Sequence, residues 1–405
     1  MNFELHFAKR LIHQKDSKYA QRVIKIATIS ITLSIAVMLI AISVLSGFKN
    51  SVKDKIVGFG SHIQILPFAS NGNFSDTPIH ISKQTLQLLS IDKNIKSITP
   101  VINKSAAIIH GEDFSAVLIK GITSSYDTNF FHSALIYGHL PKLNKKENQE
   151  ILISKTIADA LKVKLGGKIK IYFYVNENYR SKKFTISGIY DTGLGDYDER
   201  FLICDAKVLQ NIFSIDEEYY SCYEVSLKDF SKLQHSGQKL YNSLPADLTM
   251  QTITELEPNL FSWLNLLDSN VIMIILIMTL VTIVTLCSVI LIMIFEKKQL
   301  IGILKSFGTP NKSIIKIFLY KAAYVTIKGI IYGTILSLSL EIIQKTTNLI
   351  KLDPQSYYLT SVPIEIDPLV IIIVDVSALI ICTLCMIIPA RSISKINVVE
   401  NMKFE

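Results

Sequence analysis

The chain has 405 residues, of which 49% are hydrophobic, and its mean hydropathy of +0.36 is too apolar for a soluble protein. It reads as an integral membrane protein. Its net charge of +8 does not point to nucleic acid, because the lysines and arginines sit in short segments beside apolar runs, with no aromatic residues interleaved to stack bases.

Residues 1–22 put Phe3, Phe7, Leu11 and Ile12 on one helical face and His6, Lys9, Arg10 and His13 elsewhere. This is the pattern of a cytoplasmic amphipathic elbow in the headgroup region, with a disordered tail as the alternative. About 20 apolar residues cross a hydrocarbon core as a helix, and four runs qualify: 23–46, 269–295, 317–343 and 368–390. The first is longer than the ~7–15 apolar residues of a secretory signal, and no small-x-small cleavage site follows it. Lysine and arginine crowd residues 1–22, 296–316 and the tail 391–405. The loop 344–367 has only Lys345 and Lys351 against Asp353, Glu365 and Asp367. The positive-inside bias therefore puts both termini in the cytoplasm and residues 47–268 outside.

In 47–268 the charges nearly balance and apolar segments are short, which predicts a soluble α/β domain. A first lobe, 47–134 and 216–268, reads as strand 63–67, helix 82–90, strands 97–110 and 115–121, then strand 219–227, helix 228–240 and strand 248–253. A β-rich lobe, 135–215, is inserted into it, with strand 150–153, helix 155–161 and strands 168–174 and 183–190. Between the last two, residues 175–182 form a polar hairpin tip. The loop 191–199 has carboxylates at alternate positions but lacks the glycine and glutamate spacing of a calcium loop, so it reads as a solvated turn. Phe261, Leu264 and Leu267 share a face of a stalk helix running into the second span, with Trp263 as an interface anchor.

After that span, Ile301, Leu304 and Phe307 recur at helical spacing until Gly308-Thr309-Pro310 breaks the helix, and a second helix starts at Asn311. An ordinary positive-inside loop is the alternative. The third span carries Lys321, Lys328 and Glu341 near its ends, where long side chains can snorkel, and Gly329-x-x-x-Gly333 as a close-packing face. Asp375, inside the fourth span, is either functional or a neutral, hydrogen-bonded packing group. Cys287, Cys382 and Cys385 fall inside spans, and Cys382-x-x-Cys385 reads there as two small packing residues. A Cys204–Cys222 bridge in the outer domain stays open.

These 405 residues contain no phosphate-binding loop, His-Glu-x-x-His, Gly-x-Ser-x-Gly or cysteine-histidine cluster. The chain is therefore expected not to be an enzyme, with catalytic, cofactor and metal sites all absent.

The segment from Glu296-Lys297-Lys298-Gln299 through Lys305-Ser306-Phe307-Gly308-Thr309 resembles the cytoplasmic coupling segment of the FtsX-like permeases of ABC transporters. The run Ile42-Ser43-Val44-Leu45-Ser46-Gly47-Phe48, followed by Gly58 and His62-Ile63, resembles the corresponding stretch of the LolC/LolE lipoprotein-releasing permeases. Asp353-Pro354-Gln355-Ser356-Tyr357-Tyr358, Pro389-Ala390-Arg391 and Ile396-Asn397-Val398-Val399-Glu400 resemble their last external loop and tail. The two-part outer domain is similar to that of MacB-like permeases. The likeness spans the chain, most specific beside the membrane and diffuse through the lobes.

The resemblance implies a membrane α-helical fold with four transmembrane helices and an extracytoplasmic, two-lobed α/β MacB-like core domain between the first two. It implies a multi-pass permease of the bacterial inner membrane that extracts lipoproteins for a LolA-like periplasmic carrier. A separate LolD-like ATPase would hold ATP and Mg, and a second permease copy or paralogue would complete the bundle. The expected partners are thus proteins, lipoprotein cargo and membrane lipids, with no nucleic acid.

Glu296, Lys297, Lys298, Ile301, Leu304, Lys305, Phe307 and Gly308 would dock the ATPase, and Asn176, Asn178, Tyr179 and Arg180 would form the carrier-binding hairpin. Val37, Met273, Ile277 and Met278 either line a cargo path between the first two spans of opposing subunits or simply pack and face lipid. An FtsX-type signalling permease for cell-wall hydrolases and a MacB-type export permease are the alternatives. The first branch has a smaller outer domain, and the second carries its ATPase ahead of the first span.

Overall fold

The structure is a computed structural model and describes residues 18–68, 77–110, 113–143, 149–391 and 393. Most of the predicted elbow and tail lies outside the described residues. In chain order the elements are α1 (Lys18–Gly60), β1 (Ile63–Pro67), α2 (Lys83–Leu89), β2 (Ile95–His110), β3 (Asp113–Ile122), α3 (Asn129–Ser133), β4 (Leu135–Gly138) and β5 (Glu150–Ser154). There follow α4 (Lys155–Ala160), β6 (Lys168–Val175), β7 (Asn178–Tyr190), α5 (Gly195–Asp198), β8 (Phe201–Asp205), α6 (Ala206–Phe213), β9 (Cys222–Leu227), α7 (Leu233–Ser243) and β10 (Leu248–Thr252). The chain ends with α8 (Ile253–Leu256), α9 (Pro258–Glu296), α10 (Lys298–Ser306), α11 (Asn311–Thr347), α12 (Pro354–Tyr357), α13 (Pro368–Cys385) and α14 (Ile387–Ala390).

Contacts divide the chain into two units. One, residues 50–262 with 351–361, is built on a single ten-stranded sheet in the order β10-β1-β9-β2-β3-β8-β5-β7-β4, with β6 pairing β7 and part of β2. The pairs β3–β8 and β5–β7 are parallel and the rest antiparallel. The two predicted lobes share this sheet, because β2, at 16 residues, extends for about 53 Å. Its first part, Ile95 to Val101, pairs β9, its second part, Val101 to His110, pairs β3 on the other side, and Ala107 and Ile108 also pair β6. The strand β8 and helix α6 fill a stretch with no predicted element. Phe201–Asp205 is a short apolar run without alternation, and the Asp205 carboxylate caps α6 by accepting from the Lys207 N–H.

Ile108, Ile119, Ile151, Phe173, Phe184 and Leu209 belong to the core on which α4 and α6 pack. A second, aromatic cluster surrounds Phe59 near the end of α1, with Phe130, Phe131, Tyr190, Tyr197 and Phe201 rings 5.0 to 6.1 Å away. Gly58 makes room for it, since a Cβ there would fall 2.3 Å from the Phe130 ring.

The loop at 191–199 is an ordered turn rather than a solvated one. Buried Asp198 accepts from the Thr192 and Gly193 amides at 3.0 Å and from Thr192 Oγ1 at 2.7 Å. Burial pushes its carboxyl up to about 6 against the pull of those bonds. Cys204 on β8 and Cys222 on β9 are both free. Two strands lie between them, about 14 Å in sheet spacing, which is too far for a disulfide.

The other unit, residues 1–49, 263–350 and 362–405, is a helical bundle. Its core joins Ala27, Ile31 and Ile35 of α1 to Leu286 and Ile290 of α9, Phe318 and Val325 of α11, and Cys382 of α13. Helices α1 and α9 run antiparallel, fastened by Ser30 to Thr285 (3.4 Å), the Phe48–Trp263 edge contact (5.6 Å) and a Lys49–Asp268 ion pair (2.7 Å). The Gly329 and Gly333 face lies against α1, where a Cβ on either would come within 2.6 to 2.8 Å of the Ile31 or Ile35 Cβ.

Among the described residues three helices, not four, are long and apolar enough to cross a membrane: Gln21–Gly60, Pro258–Glu296 and Pro368–Ala390. The expected span 317–343 is helical as part of α11, but it carries Lys321, Lys328 and Glu341. Lys321 and Glu341 do not snorkel outward: both are buried, and Glu341 Oε1 accepts from Ser337 at 2.7 Å. Asp375 on α13 accepts from Thr334 of α11 at 2.9 Å, so this carboxylate joins two helices.

Candidate functional site

The basic segment after α9 folds as a short helical arm. Lys297 links α9 to α10, and the arm turns back at Gly308, whose φ of +78° suits glycine. The Gly308 and Thr309 amides donate to the Lys305 and Leu304 carbonyls, closing α10 before Pro310 starts α11.

The arm has two faces. Ile301 is fully buried and Leu304 packs on the bundle core, while Lys305 Nζ donates to the Ile393 carbonyl at 2.9 Å. These three predicted docking residues hold α10 to its own chain. Phe307 at 82% exposure and Ile303 at 46% point away from the bundle, while the half-buried Lys298 holds its ammonium 4.6 Å over the Phe295 ring. Glu296 and Lys297 are half-buried at the joint, and Gly308 is exposed. Ile303 was not among the predicted residues, although it lies one turn before Phe307.

The β6–β7 hairpin is longer and its tip tighter than predicted. Strand pairing continues to Val175–Asn178, leaving Asn176 and Glu177 as a two-residue turn with φ of 48° and 62°, which matches the right-handed twist of the strands. Asn178 Nδ2 donates to the Asn176 carbonyl. Below the turn, Tyr174 and Tyr179 are cross-strand partners with rings 5.4 Å apart and exposures of 61% and 81%. Tyr174 was missed because it ended an alternating strand. Arg180 reaches the other way, donating to the Ile212 carbonyl at the end of α6 (2.7 Å), so it supports the hairpin.

A buried polar cluster secures the end of α1. Lys120 Nζ donates to a Glu224 carboxylate oxygen (2.8 Å), to the Tyr126 hydroxyl (2.9 Å) and to the Phe59 carbonyl in the last turn of α1. Lys120 and Glu224 are each 1% exposed. Burial pulls the ammonium's pKa down, but Glu224 beside it outweighs that and holds it above the usual lysine range; burial likewise raises the Tyr126 hydroxyl.

Of the predicted cargo-path residues, Met273 and Ile277 are exposed on α9, Val37 is half-buried on α1, and Met278 packs on the core.

The MacB-like periplasmic core domain family matches residues 26–236, more than half of the chain, and the FtsX-like permease C-terminal family matches residues 272–398. The lipoprotein-releasing system transmembrane protein LolC of Xylella fastidiosa is 22% identical over 93% of this chain and 92% of its own length. LolC of Buchnera aphidicola is 24% identical (91% and 90%), and LolE of Haemophilus influenzae 21% (92% of each). Among solved structures, the periplasmic region of MacB from Actinobacillus actinomycetemcomitans aligns over 51% of this chain and 95% of that one, with 16% identity and a TM-score of 0.34. With a MacB-like core over its first half and an FtsX-like permease region over its last third, the chain belongs to the MacB-like and FtsX-like family of ABC-transporter permeases.

Proposed function

We propose that this chain is the permease subunit of an ABC system that extracts lipoproteins from the bacterial inner membrane and passes them to a soluble periplasmic carrier. The observation that carries this reading is the end-to-end likeness to LolC and LolE, which covers nine-tenths or more of this chain and of each of three relatives. In this reading α11 crosses the bilayer beside the three apolar helices. Its 37 residues reach about 55 Å, and its buried charges face the bundle. Both termini and α10 lie in the cytoplasm. A LolD-like ATPase supplies ATP and Mg, a second permease copy or paralogue completes the pathway, and Met273 and Ile277 line the cargo's route.

The test is reconstitution. The chain, co-purified with its ATPase and any second permease in lipid vesicles holding a lipoprotein, should release that lipoprotein to a soluble LolA-like carrier only with ATP. ATP hydrolysis without release would overturn the proposal and leave a signalling or export permease.

The ATPase is assigned to the outer face of α10. Phe307→Asp puts a charge on that face without touching the bundle core, so ATPase co-purification should fall at least tenfold while the thermal stability of the chain holds. Leu304→Asp should instead destabilise the bundle it packs on. ATPase capture unchanged by Phe307→Asp would move the contact off this arm.

A further inference from the structure

The sheet unit holds a cavity of about 480 Å³ that belongs neither to the helical arm nor to the β6–β7 hairpin. Its size is that of a small-molecule site. One wall is the face of the sheet where β2 meets β9, with Ser97 opposite Ser226 and Thr99 opposite Glu224. Ser226 Oγ lies 3.3 Å from Ser61 Oγ, which donates to a Glu224 carboxylate oxygen at 3.5 Å, so this wall is continuous with the buried Lys120 cluster. Thr99 stands out on it. The residue is 5% exposed, yet among the described residues its hydroxyl has no hydrogen-bond partner. His62, also in the lining, accepts from the Leu227 N–H through Nδ1 at 3.1 Å, which leaves the ring proton on Nε2, again without a partner among the described residues. Burial and then the Lys96 charge pull the imidazole down to about 4, so the ring is neutral.

A buried hydroxyl without a partner costs folding free energy, and valine would fill the same place on a strand, so the fold itself gains nothing from Thr99. The charges of the lining cancel. Asp54, Asp127 and Asp229 stand beside Lys53 and Lys96, with Lys96 paired to Asp127 at 2.9 Å and Lys232 3.6 Å from Asp229, which leaves no excess of either sign to select an ion. Ser97 and Thr99 are face positions on a strand already paired to β9, so the wall offers a ligand side chains and not a strand edge for a peptide to extend. Val57, Phe130 and Phe230 supply apolar surface between the polar groups. We propose that this cavity binds a neutral pyranose sugar, whose hydroxyls meet the Nε2–H of His62 and the hydroxyls of Ser97 and Thr99, and whose C–H faces lie against Phe130 and Phe230. Sugar hydroxyls both donate and accept, as the serine and threonine do, and a neutral ring leaves the balanced charges undisturbed. The site stands independently of lipoprotein release.

The test uses the full chain in a detergent without a sugar headgroup, titrated under saturation-transfer NMR with the methyl glycosides of glucose, galactose and N-acetylglucosamine, and separately with inorganic phosphate and tri-alanine. At least one glycoside should bind with a Kd near about 1 mM, the strength that a dozen heavy atoms of ordinary efficiency supply. Thr99→Val should weaken it about fivefold, the worth of one hydrogen bond, without lowering the melting temperature, and Thr99→Ser should retain it. His62→Asn keeps an acceptor for the Leu227 N–H but loses the Nε2–H, and should weaken binding by a similar factor. Wild-type protein that binds none of the glycosides would overturn the site, as would tighter binding of phosphate or of tri-alanine. Glycoside binding that neither Thr99→Val nor His62→Asn changes would place the sugar elsewhere and overturn it too. A lower melting temperature for Thr99→Val would show that the hydroxyl serves the fold, and would remove the ground for the proposal. Loss of ATP-driven lipoprotein release with sugar binding intact would count against the transport reading alone.

Discussion

Lys120→Met leaves the Glu224 carboxylate buried without its counter-ion and is expected to destabilise the sheet unit by about 3–5 kcal/mol. The reason is geometric. Glu224 is 1% exposed and loses its ammonium partner, while the Phe59 carbonyl and the Tyr126 hydroxyl lose a donor at the same time. Replacing both charges, as Lys120→Met with Glu224→Leu, removes the unpaired carboxylate. It should recover most of the loss, because apolar side chains of similar volume often match a buried ion pair. The double variant should stay about 1–2 kcal/mol below the wild type, since Phe59 and Tyr126 remain without the lysine. Denaturant unfolding of the full chain in detergent measures both. The folded-state pKa of Lys120 is raised, so its contribution is fully present below the ordinary lysine pKa and declines only as pH rises through the higher folded value. A loss under about 1 kcal/mol would mean that water or another cation reaches Glu224.

That cluster also shows where sequence reading runs out. A lysine inside Ala116-Val117-Leu118-Ile119-Lys120-Gly121-Ile122 looks like an outward position on a strand, and its partner stands 104 residues away on β9. No local pattern joins them. The break of the helical arm, by contrast, was written locally. Gly308 supplies a left-handed turn and Pro310 forbids continuation, so the end of α10 and the start of α11 were legible from three residues. The direction of the arm's faces was not legible. Apolar residues at helical spacing mark a face that seeks cover, and Ile301 and Leu304 find it in their own bundle.

Strand alternation gave β1, β6 and β7 but could not show that β2 changes partners midway, because a strand's pattern records which side is buried and not which neighbour it pairs with. The charges of α11 read as end-of-span lysines and an outer glutamate. The bundle buries two of them, a choice made by packing against α1 and α13 rather than by position along the helix.

If the β6–β7 hairpin is the element that takes hold of the carrier, Tyr174→Ala with Tyr179→Ala should weaken capture of a soluble lipoprotein carrier by at least thirtyfold, the scale of losing one aromatic hot spot. The pair is the largest apolar surface at the hairpin's end, and its rings are already fixed against each other, so little freedom is lost on binding. The double variant should still fold. Phe173, Val175 and Phe184 on the inner face stay in the core, the Asn176–Glu177 turn is untouched, and losing one exposed cross-strand pair costs about 0.2–1 kcal/mol. Arg180→Ala is the discriminating control. Its guanidinium serves the Ile212 carbonyl, so its removal should lower stability by about 1 kcal/mol and leave carrier capture within about twofold of the wild type. Pull-down with immobilised carrier, beside a melting curve for each variant, separates the two effects. If Arg180→Ala abolishes capture while the tyrosine variant binds normally, the contact lies on the flank of the hairpin over α6. If neither change matters, the carrier meets another part of the sheet unit.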